Sequence, residues 1–226
     1  MRKNGNKVVK TIAIASGKGG VGKTNIIANL GITLKKLGKE VLIFDADLGL
    51  SNIDVLLSLA PKYSIEHLIS GEKSLKEIII QGPSGIKVLP AGNGIQELTN
   101  LNEFQRLRIL EEFEDYNENI DIMLIDTSAG ISENVSFFCS AVQDIIILTT
   151  PEPTSITDAY ALIKVLHSKY KEENFSLVVN LVKNEDEAKL VYKQLSMVTE
   201  KFLDVELSYL GFVRYDENVK RSVKEQ

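Results

Sequence analysis

The feature that most constrains this chain is a stretch rich in glycine and lysine near its N-terminus, Ser16-Gly17-Lys18-Gly19-Gly20-Val21-Gly22-Lys23-Thr24. From Gly17 onward it matches G-x-x-x-x-G-K-[ST], the phosphate-binding P-loop. Small glycines let backbone N–H groups converge on phosphate oxygens, and a following helix adds the partial positive charge of its N-terminus. Residues 8–15 predict a buried strand and residues 25–37 predict a helix, so the motif has the strand and helix that it requires.

The motif assigns a function to most of its residues. Lys23 is expected to reach the β- and γ-phosphates as a mobile point charge. The hydroxyl of Thr24 is the expected Mg²⁺ ligand. The remaining candidate nucleotide-binding positions of the loop and of the helix start are Gly17, Lys18, Gly19, Gly20, Val21, Gly22 and Asn25.

Acidic residues follow two predicted strands at their C-terminal ends, where ligands bind in open α/β sheets. Asp45 and Asp47 come after the strand at 40–44, and Asp126 ends the apolar strand at 121–126. We expect Asp47 to orient the attacking water, and Asp45 to act through the water shell of Mg²⁺. Asp126 is expected to hold Mg²⁺, also through water. A simpler alternative remains for these aspartates, since aspartate often caps the start of a helix.

The alternation of strands and helices predicts an α/β fold of the P-loop NTPase type, with a mostly parallel, twisted sheet and helices on both faces. Asn180 ends a further core strand and is predicted to bind the nucleotide base, with a capped loop as the alternative. Arg214, after the last predicted strand, is a further nucleotide-binding candidate. We see no repeat or linker, so one domain is predicted over residues 1–226, with a loose arm at 1–7.

Composition excludes several other kinds of protein. Of the 226 residues, 44% are hydrophobic and 25% are charged, which is ordinary for a globular domain. The net charge of −5 argues against nucleic acid as the main partner. Cys139 is the only cysteine, so an internal disulfide and a multi-cysteine zinc site are excluded, and we expect it to be buried. The polar N-terminus and the lack of a long apolar run predict the cytoplasm as the compartment.

Several stretches resemble the MinD/ParA family of ATPases and, within it, the FlhG group, which is also called FleN or YlxH. Lys18 is the first mark, because a lysine inside K-G-G-x-G-K-[ST] defines the deviant Walker A motif of that family, and a plain P-loop does not need it. Thr24-Asn25 also fits FlhG, since MinD itself usually repeats threonine there. The other stretches that carry the resemblance are residues 45–52, 94–98, 126–132 and 149–163.

The resemblance implies an ATP-dependent molecular switch with ATP or ADP and Mg²⁺ as its ligands. ATP would join two subunits face to face, with Lys18 reaching the nucleotide of the opposite subunit, and slow hydrolysis would release them. Lys18, Lys23 and Asp47 would carry the catalysis. The switch would set the number and placement of bacterial flagella, with an FlhF-type GTPase, basal-body components and transcription regulators as partners. A C-terminal amphipathic helix contacts the inner face of the cell membrane in that family.

Two features of the sequence depart from the pattern of the family, and two other functions are alternatives to the switch. The activating motif of members that stimulate FlhF is not found in residues 1–10, and the last segment offers only Val219 and Val223 as apolar residues at helical spacing. One alternative is a MinD- or ParA-type ATPase that positions division sites or DNA. The other is a metabolic P-loop enzyme, which would need a substrate pocket with its own acid, base or nucleophile.

Overall fold

The computed structural model describes residues 8–49, 51–92, 96–116 and 118–224. The predicted arm at residues 1–7 lies outside these ranges. So do Leu50, Gly94 and Ile95, which belong to two of the stretches that carry the family resemblance.

Strands and helices alternate along most of the described chain. The strands are β1 (Lys10–Ser16), β2 (Val41–Ala46), β3 (Ile80–Gln81), β4 (Lys87–Leu89), β5 (Ile122–Ala129), β6 (Asp144–Thr149), β7 (Phe175–Val182) and β8 (Leu207–Arg214). The helices are α1 (Lys23–Lys36), α2 (Ile53–Leu56), α3 (Ile65–Ile69), α4 (Leu75–Ile78), α5 (Glu103–Asp115), α6 (Glu133–Ser140), α7 (Pro153–Tyr170), α8 (Glu185–Leu203) and α9 (Glu217–Lys224).

The strands form one hydrogen-bonded sheet in the order β3-β4-β2-β5-β1-β6-β7-β8. Pairs β2–β4, β6–β7 and β7–β8 are parallel, and β3 runs antiparallel to β4. The predicted α/β class with a mostly parallel sheet is therefore confirmed. Strand β3 was not predicted. Helix α4 ends at Ile78, and the β-branched Ile80 pairs with Val88.

The chain divides into two compact units, Met1–Ile12 with Thr24–Asp126, and Ala13–Lys23 with Thr127–Gln226. Within the first unit, α1 packs closely on the sheet. A side chain at Gly31 would place its Cβ 2.7 Å from Cδ1 of Ile43 in β2 and 3.7 Å from Cδ1 of Leu124 in β5. The single domain expected from the sequence stays a prediction.

Within the second unit, α7 follows β6 through a short, well-anchored turn. The hydroxyl of Ser155 lies 3.0 Å from the hydroxyl of Thr149 and accepts a hydrogen bond of 3.1 Å from the backbone N–H of Thr150. Pro153 occupies the first turn of α7, where its missing N–H costs nothing. The start of α7 is therefore fixed to the end of β6.

Cys139 of α6 is fully buried, as the sequence predicted, and burial raises the pKa of its thiol to about 12.

Candidate nucleotide-binding site

The phosphate loop, residues 17–22, connects β1 directly to α1. Lys23, the first residue of α1, is only 8% exposed, and its Nζ donates a hydrogen bond of 2.8 Å to Oγ of Ser16. The hydroxyl of Ser16 in turn donates to the carbonyl oxygen of Lys18 at 2.8 Å. The strand, loop and helix that the motif requires are therefore present, and the lysine predicted to contact phosphate is held by a neighbouring hydroxyl.

The start of the loop lies against the backbone of α7. A Cβ added to Gly17 would lie 2.1 Å from the carbonyl oxygen of Asp158, a distance that real Cβ atoms do not show. Only a residue without a side chain allows this approach. The first glycine of the motif therefore serves the packing of loop against helix, in addition to any contact with phosphate.

The end of the loop is supported by β7. Asn180 is 5% exposed, and its Nδ2 donates a hydrogen bond of 2.7 Å to the carbonyl oxygen of Val21. A Cβ at Gly22 would lie 2.5 Å from the same nitrogen, and the φ of Gly22 is +94°. The structure thus places Asn180 beside the loop, where it holds the backbone. Its predicted contact with the base is a separate question and stays a prediction.

Lys18 has a different environment from Lys23. Its side chain is 35% exposed, and its Nζ forms an ion pair with Glu152 and a hydrogen bond of 2.9 Å with Oγ1 of Thr154. Both partners belong to the first turn of α7 and its cap. This region carries part of the family resemblance, but no motif in it predicts a contact with Lys18.

A second group of predicted site residues lies in the first unit, at the end of β2 and in the turn that follows it. Asp45 is 1% exposed and accepts hydrogen bonds from the hydroxyl of Ser51 at 2.8 Å and from the backbone N–H groups of Asp47, Asn52 and Ile53 at 3.1–3.2 Å. Burial raises the pKa of the Asp45 carboxyl to about 6, although these hydrogen bonds act in the opposite direction. The hydroxyl of Ser51 also lies 2.9 Å from the buried carboxylate of Asp54.

The residues predicted to hold Mg²⁺ all belong to the first unit. Thr24 lies in the first turn of α1, Asp45 near the end of β2, and Asp126 within β5, where it is 2% exposed. Since β2 and β5 are adjacent in the sheet and α1 packs on both, these three residues belong to neighbouring elements. A hydroxyl and two carboxylates are the oxygen ligands that Mg²⁺ prefers.

The remaining predicted residues are placed less centrally. Asp47 is half-buried directly after β2. Arg214 is exposed at the end of β8, and its guanidinium lies 5.9 Å from the ring centroid of Phe212. No described contact links Arg214 to the loop, so its role in nucleotide binding stays a prediction.

Strand β5 continues beyond Asp126, where the sequence analysis ended it. The Thr127 hydroxyl donates a hydrogen bond of 3.1 Å to the carbonyl oxygen of Ile14. The backbone N–H of Gly130 donates a hydrogen bond of 2.9 Å to the carbonyl oxygen of Ser16. Sequence reasoning missed Ser16 as a functional candidate. Its position directly before the loop was the available signal.

Comparison with known proteins defines the class of this site. Residues 12–226 match the model of the CobQ/CobB/MinD/ParA nucleotide binding domain, and the chain therefore belongs to this family of nucleotide-binding proteins. A solved structure with a similar fold is that of the septum site-determining protein MinD from Pyrococcus horikoshii, in complex with Mg-ADP. It aligns with a TM-score of 0.77 over 96% of this chain and 86% of that one, at 22% identity.

Two curated relatives narrow the family further. The antiactivator FleN of Pseudomonas aeruginosa is 41% identical over 96% of this chain and 78% of its own length. The flagellum site-determining protein YlxH of Helicobacter pylori is 39% identical over 96% and 74%. Within its family the chain thus belongs to the FlhG (FleN/YlxH) group, and the resemblance stated from the motifs is confirmed.

Among the residues that the structure describes, none of the helices is sufficiently long and apolar to cross a membrane.

Proposed function

We propose that the chain is an ATP-dependent dimerising switch of the FlhG type, which hydrolyses ATP slowly and regulates the number and placement of bacterial flagella. The identity to FleN and YlxH over 96% of the chain supports this proposal. The observation that carries it is the position of Lys18. The Lys18 side chain is 35% exposed and pairs with Glu152 before α7, whereas Lys23 is only 8% exposed.

The proposed division of work follows the position of each group. The loop backbone and Lys23 bind the β- and γ-phosphates. Thr24 supplies an oxygen for Mg²⁺, and Asp45 and Asp126 act through the water shell of the ion, which would neutralise phosphate charge when bound. Asp47 orients the attacking water. Asn180 binds the nucleotide base in this proposal, and Arg214 is a further contact to the nucleotide.

Lys18 is proposed to exchange partners during the cycle. In the free chain it contacts Glu152 and Thr154, and in the dimer it contacts the nucleotide of the opposite subunit. An exposed ion pair contributes little free energy, so breaking it opposes the exchange only weakly. Hydrolysis is proposed to be slow, because neither residues 17–24 nor residues 45–52 contain an arginine to stabilise the transferring phosphoryl group.

The proposed macromolecular partners are an FlhF-type GTPase, basal-body components and transcription regulators. The names of the relatives support this choice, since one is an antiactivator and the other determines the flagellum site. Such partners would respond to the dimer and not to the monomer.

The decisive experiment is molar mass in solution, measured by light scattering after size exclusion. The Asp47→Ala variant prevents turnover and is measured without nucleotide, with ADP and Mg²⁺, and with ATP and Mg²⁺. We expect twice the monomer mass with ATP alone. Addition of Lys18→Ala should abolish the dimer, whereas Lys39→Ala, which changes an exposed lysine outside the loop, should leave it intact.

A monomer in all three states would contradict the switch and favour a metabolic enzyme. A dimer that survives Lys18→Ala would retain the switch but contradict the assigned crossing of Lys18. Phosphate release by the wild-type chain, measured over a range of protein concentrations, tests the slow hydrolysis. A rapid rate without a partner would contradict it.

A further inference from the structure

Ser16 contacts both ends of the phosphate loop and the segment after Asp126. It is the last residue of β1 and is completely buried. Its hydroxyl lies 2.8 Å from Nζ of Lys23 and 2.8 Å from the carbonyl oxygen of Lys18. Its own carbonyl oxygen accepts the hydrogen bond of 2.9 Å from the backbone of Gly130. One small residue thus joins three segments around the loop.

The chemistry of the partners fixes the direction of both hydroxyl bonds. An ammonium group can only donate, and a carbonyl oxygen can only accept. The Ser16 hydroxyl must therefore accept from Lys23 and give its single hydrogen to the carbonyl of Lys18. Hydrogen bonds in such a chain polarise one another, so the charge of Lys23 strengthens the bond to Lys18. The two lysines of the motif are linked through this one hydroxyl.

We propose that Ser16 is a positioning residue for nucleotide binding. Its hydroxyl orients the ammonium group of Lys23 by accepting its hydrogen bond. The same hydroxyl holds the backbone carbonyl of Lys18, the residue whose side chain contacts the start of α7. The consequence for Lys18 rests on the proposed function of the chain. The consequence for Lys23 requires only that the chain binds a nucleotide.

Removal of the hydroxyl has a predictable effect on affinity. With alanine at position 16, the buried ammonium of Lys23 loses this acceptor and the Lys18 carbonyl loses this donor. Lys23 is then less well oriented before phosphate arrives, so part of the binding free energy is spent on ordering it. A lost hydrogen bond to a charged group corresponds to an affinity loss of roughly tenfold or more.

The test is the affinity for ADP with Mg²⁺, measured by calorimetry on the full chain. Ser16→Ala is expected to bind roughly tenfold more weakly than the wild type. Ser16→Thr retains the hydroxyl, and a β-branched residue suits a strand, so it should bind ADP more tightly than Ser16→Ala. Ser16→Cys has a thiol that is a weaker donor and acceptor, should lie between the two, and serves as the test if the alanine variant does not fold.

Thr199→Val is the matched control. Thr199 is also completely buried, and its hydroxyl donates a hydrogen bond of 3.1 Å to the carbonyl oxygen of Ser196 within α8. Thermal unfolding without nucleotide shows how much stability each variant loses. A purely structural role of Ser16 would lower the melting temperature and leave the ADP affinity of the folded protein unchanged.

The outcomes separate this inference from the proposed function. Unchanged ADP affinity in Ser16→Ala, or an equal loss in Thr199→Val, would overturn the role of Ser16. If the wild-type chain binds ADP and remains a monomer with ATP, the switch fails, and the ADP affinities still decide the role of Ser16. If ATP produces a dimer, the Ser16→Ala variant should need a higher protein concentration to form it, and Thr199→Val should not.

Discussion

The phosphate loop is held by residues far along the chain, whereas the turn after β2 is held by its own neighbours. Asn180 reaches Val21 across 159 positions, and the backbone of Asp158 lies directly against Gly17. The most distant described partner of the Asp45 carboxylate, the N–H of Ile53, is only eight positions away. Distant contacts therefore stabilise the loop, whereas local hydrogen bonds stabilise the turn.

This difference has a functional consequence. A loop supported by α7 and β7 responds to any movement of those elements, so contacts made at α7 can reach the phosphate site. The acidic turn is less dependent on distant contacts, but it buries a carboxyl at a cost that appears as the raised pKa of Asp45. Under the proposed function, the loop would transmit contacts made at α7, and the turn would bind a cation that relieves this cost.

The largest effect is expected where α7 supports the loop. Gly17→Ala places a Cβ 2.1 Å from the Asp158 carbonyl oxygen, so the loop or the helix must shift. We expect a loss of about 3 kcal/mol in the free energy of unfolding, together with loss of ADP binding. Gly19→Ala is the control, because the nearest atom to its Cβ would be that of Ala129 at 3.8 Å. Urea unfolding of both variants measures the difference, and equal stability would show that α7 does not constrain the loop.

The acidic turn should respond to pH. Because burial raises the pKa of Asp45 from 3.8 to about 6, the folded chain retains a proton there that the unfolded chain releases. The wild type therefore loses stability as pH rises from about 4 to about 6, and Asp45→Asn lacks this loss. Above pH 6, without Mg²⁺ or nucleotide, the variant should be more stable by up to about 3 kcal/mol, and the gain should vanish near pH 4.

Urea unfolding at several pH values between 4 and 8 measures this effect, with Asp115→Asn on the exposed face of α5 as the control. The control retains Asp45, so it should lose stability over the same pH range as the wild type. If Asp45→Asn changes stability by the same amount at every pH, the ionisation of Asp45 is not the cause. Burial of the ionised Asp45 carboxylate would then lower the free energy of unfolding by less than its raised pKa indicates.

The same contrast explains what could be predicted from the sequence. The phosphate loop, the strand before it and the acids after β2 and β5 were recognisable because their signals lie within a few neighbouring residues. The supports of the loop gave no such signal. Asp158 contributes a backbone carbonyl and Ser16 a single hydroxyl, so no motif marks either one. Asn180 was selected for a contact with the base, yet its described hydrogen bond goes to the backbone of Val21.

The smallest effect is expected at the other contact between α7 and the loop. Glu152→Gln removes the negative charge that pairs with Lys18, where the two side chains are 65% and 35% exposed. Solvent and salt screen such a pair, so the free energy of unfolding should change by less than about 0.5 kcal/mol, and the change should shrink further in high salt. Urea unfolding at low and high ionic strength measures it. If Glu152→Gln destabilised the chain as much as Gly17→Ala, α7 would hold the loop by charge as much as by close packing. Moving Lys18 to a second subunit would then have a large free-energy cost.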